Sequence, residues 1–191
     1  MEPVFTIPYS EYAVANRLSA LFPARDGFSI LIPASRQEKG IDLVLAPRSP
    51  SGLRAVTLQV KSSRTYSPKP TKGIVAKKFR FDTWFNRFDV PDEADYVFLV
   101  GLYPPEESRS RRRRPTWWSE MILVFTHDEM ASFLGGVKTL SGKPDRMFGF
   151  GFDEPFEVVQ SRGDEKRRLR DFSAHLLENK ADQLHRRLVR S

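Results

Sequence analysis

The chain has 191 residues, 40% of them hydrophobic, which is enough for one domain with a core of its own. It contains no apolar run approaching the roughly 18 residues of a membrane-spanning helix, no cysteine for disulfides or thiolate zinc sites, and three scattered histidines that share no zinc-ligand spacing. The net charge of +7 indicates a partner rich in phosphates, although many ordinary proteins are equally basic.

The N-terminus is acidic and interrupted by prolines, which is not typical of a signal peptide. We therefore expect a cytoplasmic protein without a membrane partner. The first predicted element is a helix from Glu11 to Phe22, with Ser10 as its N-cap and Pro23 at its end. Glu11 lies on the apolar stripe of this helix. It either complements the helix dipole or reaches over the sheet towards Asp42, and the sequence leaves both interpretations open.

Three strands are predicted next, at 28–34, 41–46 and 55–61, and a turn rich in Pro, Ser and Gly joins the last two. Gln59 and Lys61 share one face of the third strand, because side chains alternate along a strand. The opposite face is apolar. A hairpin would bring Asp42, at the start of the second strand, alongside Gln59 and Lys61. The three side chains then either form a site for a divalent metal and a phosphate, or face solvent.

Basic loops are predicted after this hairpin. The composition of 62–73 predicts a loop that either follows a nucleic-acid backbone or is a solvated connector. A second loop is predicted at 104–115, and it either contacts phosphates or is solvated. The candidate nucleic-acid-binding residues in them are Arg64, Lys69, Lys72, Arg111, Arg112, Arg113 and Arg114.

The rest of the chain continues the α/β pattern. Phe79 and Phe81 alternate as in a strand, but Asp82 could instead cap a short helix whose aromatic residues stack on bases or form a core. Strands at 95–103 and 117–126 form a predicted hairpin, and Thr126 caps the helix after it. The glycine-punctuated segment 146–159 is predicted as an edge strand, and 164–190 as an amphipathic helix with a basic outer face.

This order of elements resembles the core of the PD-(D/E)xK nuclease superfamily, a mixed β-sheet flanked by helices. In that family an acid begins the second core strand, the third strand carries an acid-x-lysine motif, and the preceding helix often supplies another acid. Asp42, Gln59-Val60-Lys61 and Glu11 occupy the matching positions of this chain. Glutamine replaces the acid of the second motif, and certain group I intron homing endonucleases are similar in having Gln-x-Lys there. The resemblance covers about residues 9–103.

The resemblance implies an α/β, restriction endonuclease-like fold. We expect a single domain, with a core at about 9–134 and an extension at 135–191 that carries a long helix. The resemblance also implies an endonuclease that uses Mg²⁺ or Mn²⁺ to hydrolyse DNA. Asp42, Gln59, the Val60 carbonyl and Glu11 would be the metal ligands, and Lys61 would position water or neutralise charge on the phosphate.

The chemistry leaves several alternatives. RNA is an alternative substrate, and cutting both strands of a duplex would favour a homodimer. The glutamine at position 59 lowers the negative charge of the site, so a catalytically inactive nucleic-acid-binding protein of the same fold is a second interpretation. A basic interaction or scaffold protein is a third.

Overall fold

A computed structural model describes residues 8–33, 40–48, 54–66, 79–103, 118–153, 157–166 and 168–189. These residues form one eight-stranded mixed sheet with helices on both faces, so the predicted α/β class is confirmed. The α-helices are α1 (Tyr9–Leu21), α2 (His127–Gly135) and α3 (Leu177–Val189), and short 3-10 turns lie at Ala24–Asp26 and Ser173–His175. The strands are β1 (Phe28–Leu31), β2 (Leu43–Pro47), β3 (Val56–Tyr66), β4 (Phe81–Asn86), β5 (Tyr96–Tyr103), β6 (Ser119–Thr126), β7 (Met147–Asp153) and β8 (Glu157–Arg162). Among the helices that the structure describes, none combines the length and the apolar composition of a membrane span.

Strand β3 is the central strand of the sheet. Strands β1, β2 and β3 are antiparallel neighbours, whereas β5 is parallel to β3 and is followed by antiparallel β6. Leu58 pairs with both Leu43 of β2 and Tyr96 of β5, so these two strands lie on opposite edges of β3. The β2 and β5 pairings overlap at Leu58, so β3 is flanked by a strand on each side at this residue.

The end of β3 begins the second half of the sheet. Thr65 and Tyr66 pair with β4, which continues through antiparallel β7 to β8. Parallel neighbours such as β3 and β5 are usually joined by a crossover helix. In the described part of this connection, the chain forms β4 instead.

The core consists of two apolar clusters on the two faces of the sheet. Leu58 and Phe98 point into the cluster covered by α1 and α3, whereas Val97 and Leu99 point into the cluster covered by α2 and the phenylalanines of β4 and β7. This alternation follows from the two-residue period of a strand. The residues after 134 contribute to both clusters, since β7 and α3 pack in them.

Several predicted boundaries were wrong. Helix α1 begins at Tyr9 after Pro8, and Ser10 is buried within the helix, so Ser10 is not the N-cap. Residues 62–66, predicted as a loop, are part of β3 because β5 and β4 pair with them. Asp82 lies within β4 and does not cap a helix.

The C-terminal region also differs from its prediction. β7 is not an edge strand, since it pairs with β4 on one side and β8 on the other. The predicted helix over 164–190 is confirmed only from Leu177 onwards, because Leu169 has the left-handed φ of 51° and a 3-10 turn precedes α3. The predicted cap of α2 is confirmed.

Helices α2 and α3 are linked through one carboxylate. Thr126 and Glu129 form a capping box at the start of α2, and Lys180 Nζ of α3 donates to Glu129 Oε1 at 2.8 Å. Burial alone would raise the pKa of Glu129, but the hydrogen bonds from Lys180 and Thr126 outweigh burial and lower that pKa below its ordinary value of 4.5. The charged form of Glu129 therefore stabilises the fold.

We expect Glu129→Gln to lower the free energy of unfolding at pH 7 by about 1 kcal/mol, because Lys180 loses its charged partner. A lowered folded-state pKa gives stabilisation that is complete above the unfolded-state value and disappears as pH falls through the folded-state value. The difference between wild type and variant should therefore shrink below about pH 4.5. Denaturant titrations at several pH values measure it. Glu157→Gln, an exposed glutamate on β8, is the control. A difference that persists in acid would contradict a stabilising role of the Glu129 charge.

Candidate functional site

Asp42 lies where β2 separates from β3. Its N–H donates to the Leu58 carbonyl oxygen at 2.8 Å, and its Oδ2 accepts from the Val60 N–H at 2.6 Å. Gly40, at φ 89°, makes the approach to Asp42 possible, since a Cβ there would lie 2.4 Å from Pro91 Cβ. The structure therefore brings the Asp42 carboxylate to the middle of the Gln59-Val60-Lys61 segment.

Gln59 carries a buried oxygen without a partner. The residue is 6% exposed, and Oε1 has no hydrogen-bond donor among the described residues. Continuing the β2–β3 register places Asp42 opposite Gln59, so both side chains lie on the same region of the sheet. Buried acceptors are normally hydrogen-bonded, so an acceptor without a donor marks a position for a water, an ion or another ligand.

Val60 directs its backbone to the same edge. In an extended strand, the N–H and C=O of one residue point to the same side, and the Val60 N–H points to Asp42. The Val60 carbonyl therefore points to the edge of β3 at which the pairing with β2 has ended. This edge combines carboxylate, carbonyl and amide oxygens, which are the ligand types that Mg²⁺ prefers.

Lys61 lies on the same face of β3 as Gln59. Its Nζ is 5.4 Å from the ring centroid of Phe88, a residue packed against the α2-side cluster. This cation–π contact holds the ammonium group beside the sheet while the side chain stays half-buried. Lys61 directly follows Val60, whose N–H donates to Asp42.

Glu11 lies on the helix that covers the other face of the sheet. α1 packs on the cluster that contains Val60, whereas Gln59 and Lys61 point away from that cluster. Glu11 is half-buried and engaged in contacts of its own. No group of three or more Asp, Glu or His side chains gathers around a common metal position in the described ranges. The metal-ligand role of Glu11 stays a prediction, and it requires the side chain to approach Asp42 around the sheet edge.

The candidate nucleic-acid-binding residues divide into two groups. Arg64 is exposed on β3, three residues beyond Lys61. The others lie outside the described residues: Lys69, Lys72, Arg111, Arg112, Arg113 and Arg114.

The segment from Phe88 to Asp95, which borders the site, was missed by sequence analysis. Pro91 packs against Gly40, and the Asp95 carboxylate accepts from the Thr57 N–H at 2.9 Å. The position of Asp95 directly before a strong strand is a sequence signal for such an anchor, but its partner on β3 is not visible without the fold. This segment holds the N-terminal half of β3 in place beside Asp42.

No protein-family model, curated protein or solved structure matches the chain.

We expect Gln59→Met to raise the free energy of unfolding in chelator by about 1 kcal/mol, because a buried acceptor without a donor is replaced by an apolar chain of similar volume. Gln183→Met is the matched contrast, since Gln183 Oε1 accepts from Lys180 Nζ at 3.0 Å and its loss should destabilise. Thermal and denaturant unfolding measure both. A destabilised Gln59→Met protein would mean that Oε1 has a donor in solution.

Proposed function

We propose that the protein is an endonuclease of restriction endonuclease-like fold that hydrolyses DNA with Mg²⁺ or Mn²⁺. The observation that carries this proposal is the hydrogen bond from the Val60 N–H to the Asp42 carboxylate, next in sequence to Lys61 and to Gln59, whose buried oxygen lacks a donor among the described residues.

The residues fit a hard divalent cation. Asp42 would be the charged ligand, while Gln59 Oε1 and the Val60 carbonyl would be neutral oxygen ligands, and Glu11 would add a second carboxylate. Mg²⁺ supplies an activated water and neutralises charge on the phosphate. Lys61 would orient the attacking water or stabilise the charge that develops on the phosphoryl oxygens. Asp42 can bind metal through one oxygen while the other accepts from Val60, because a carboxylate has about four acceptor positions.

The order of the elements also supports the proposal. A helix precedes three antiparallel strands, β2 follows directly after Asp42, and β3 carries Gln-x-Lys beside a parallel strand. These are the positions at which the superfamily places its helix acid, its first acid and its second motif. A net charge of +7 suits a polyanionic substrate, and two-strand cleavage would be served by a homodimer.

A non-catalytic nucleic-acid-binding protein is the second candidate. Gln59 takes the place of an acid, and the described residues provide no three-carboxylate or histidine cluster for a metal. A protein of this kind would bind DNA with strong salt dependence and without a metal requirement.

We expect purified protein to cut supercoiled plasmid or branched DNA with Mg²⁺ or Mn²⁺ and not with chelator. Asp42→Asn should keep the hydrogen bond to Val60, because an amide oxygen can accept it, but should lose cleavage by on the order of 100-fold or more. Lys61→Ala should lose cleavage similarly. DNA binding in chelator should stay close to wild type for both variants. Gel assays of cleavage and anisotropy assays of binding provide the measurements.

Two exposed residues serve as controls for these variants, Asp182→Asn on α3 for the lost acid and Lys138→Ala for the lost ammonium. Normal cleavage by Asp42→Asn would exclude this site. Metal-independent, salt-sensitive binding without cutting of any tested DNA would favour the non-catalytic candidate.

We expect Gln59→Glu to lower the Mg²⁺ concentration for half-maximal cleavage roughly tenfold, because a charged ligand replaces a neutral one. In chelator the same variant should be less stable than wild type, since it buries a second carboxylate near Asp42. Mg²⁺ should then raise its melting temperature more than that of wild type. An equal thermal shift in both proteins would show that position 59 does not contact the metal.

A further inference from the structure

The second half of β3 presents a different surface from the first. Ser62, Arg64 and Tyr66 continue the face that begins with Val56 and Leu58, but beyond Val60 this face becomes exposed. The paired strand β4 turns Phe81 and Phe85 into the core and leaves Trp84 on the outside. This surface is on the opposite face of β3 from Lys61 and is therefore separate from the candidate metal site.

Two aromatic rings lie side by side on this face. Tyr66 is 52% exposed and Trp84 is 43% exposed, and their ring centroids are 5.8 Å apart. Large aromatic side chains are usually buried to a high degree, so a pair of exposed neighbouring rings on a sheet is a feature that needs a reason. A flat ligand that stacks on the rings would supply one.

The glycines of β7 fix the orientation of the indole ring. A Cβ on Gly149, the register partner of Trp84, would lie 2.3 Å from Trp84 Cδ1 and 2.8 Å from the Thr83 carbonyl oxygen. A Cβ on Gly151 would lie 2.7 Å from Phe79 Cδ2. The indole ring of Trp84 and the ring of Phe79 therefore lie against the backbone of β7, where a side chain larger than glycine would displace them. The Trp84 ring is thus held in place and loses little conformational freedom when a ligand binds.

Cationic groups surround the rings. The guanidinium of Arg162 lies 6.0 Å from the Trp84 ring centroid and also contacts Asp145 at 3.3 Å, and Arg64 is exposed on the same face of β3 as Tyr66. Asp82 also belongs to this face, but it is half-buried, and burial raises its pKa although a hydrogen bond from Ser161 partly opposes this. The aromatic surface is thus accompanied by two arginines, of which Arg162 is ion-paired with Asp145.

We propose that the surface formed by Arg64, Tyr66, Trp84 and Arg162 binds unpaired nucleotides of a nucleic acid, with bases stacked on the rings and phosphates near the arginines. Every base has a π-face, so stacking platforms of this type take single strands with little sequence preference, whereas the bases of a duplex are stacked on each other and inaccessible. The net charge of +7 complements a nucleic-acid strand rather than a neutral ligand. Binding here needs neither metal nor cleavage.

The test compares a labelled oligothymidylate with a blunt duplex of the same length, by fluorescence anisotropy in chelator. Wild type should bind the single strand more tightly. Trp84→Leu and Tyr66→Leu should each weaken single-strand binding by about 5- to 100-fold and change duplex binding little, whereas Trp84→Phe should keep most of it. Tyr12→Leu, a 55% exposed tyrosine on α1, should bind as wild type does.

Arg64→Ala should reduce the salt dependence of single-strand binding by about one counterion. Arg25→Ala, which removes an exposed arginine of the 3-10 turn after α1, should not. Circular dichroism checks that each variant folds. If Trp84→Leu does not fold, the binding of Tyr66→Leu tests the proposed surface.

Three results would overturn the inference: no single-strand binding by wild type, no preference over duplex, or leucine variants that bind the oligothymidylate like wild type. Metal-dependent plasmid cutting could persist in each case. Conversely, single-strand binding that depends on Trp84 and Tyr66, without any cutting, would support this surface and contradict the proposed nuclease.

Discussion

The hydrogen-bond requirement of β3 is the constraint on which the rest of the structure depends. This eleven-residue strand pairs with β2, β5 and β4 along different parts of its length. Where β2 leaves, Val60 would expose an unpaired N–H at a partly buried edge, and the Asp42 carboxylate supplies the acceptor. One side chain therefore ends the β2–β3 ladder and places a negative charge beside Gln59 and Lys61.

The two polar groups at this edge differ in what they contribute to stability. Asp42 satisfies a backbone donor, so its presence is explained by the fold whether or not it has a chemical role. Gln59 Oε1 accepts no hydrogen bond from the described residues, and a buried acceptor without a donor is expected to destabilise the folded state. Residues that break a local rule of packing are found mainly at functional sites. Gln59 is thus more informative about function than Asp42.

Local patterns in the sequence predicted the elements whose signals are local. The alternation of Leu58 and Gln59, the apolar stripe of α1 and the Thr126 cap follow from residues a few positions apart. The length of β3, the interior position of β7 and the late start of α3 depend on partner strands far along the chain. For the same reason the sequence did not reveal that Phe88 covers Lys61, or that Trp84 lies outside the core while its neighbours lie inside it.

The alternation of side chains along β3 also determines how one nucleic-acid strand would contact both the candidate metal site and the surface formed by Arg64, Tyr66, Trp84 and Arg162. Lys61 points to one face, and Arg64 and Tyr66 point to the other. Between Val60 and Thr65, the described residues provide no strand partner on the edge of β3 that pairs with β2 up to Leu58. A strand of nucleic acid in contact with both faces would therefore cross this open edge, where the Asp42 carboxylate and the Val60 carbonyl lie. Because α1 packs on the face of the sheet that contains Val60, Glu11 would approach a phosphate at Asp42 from that face.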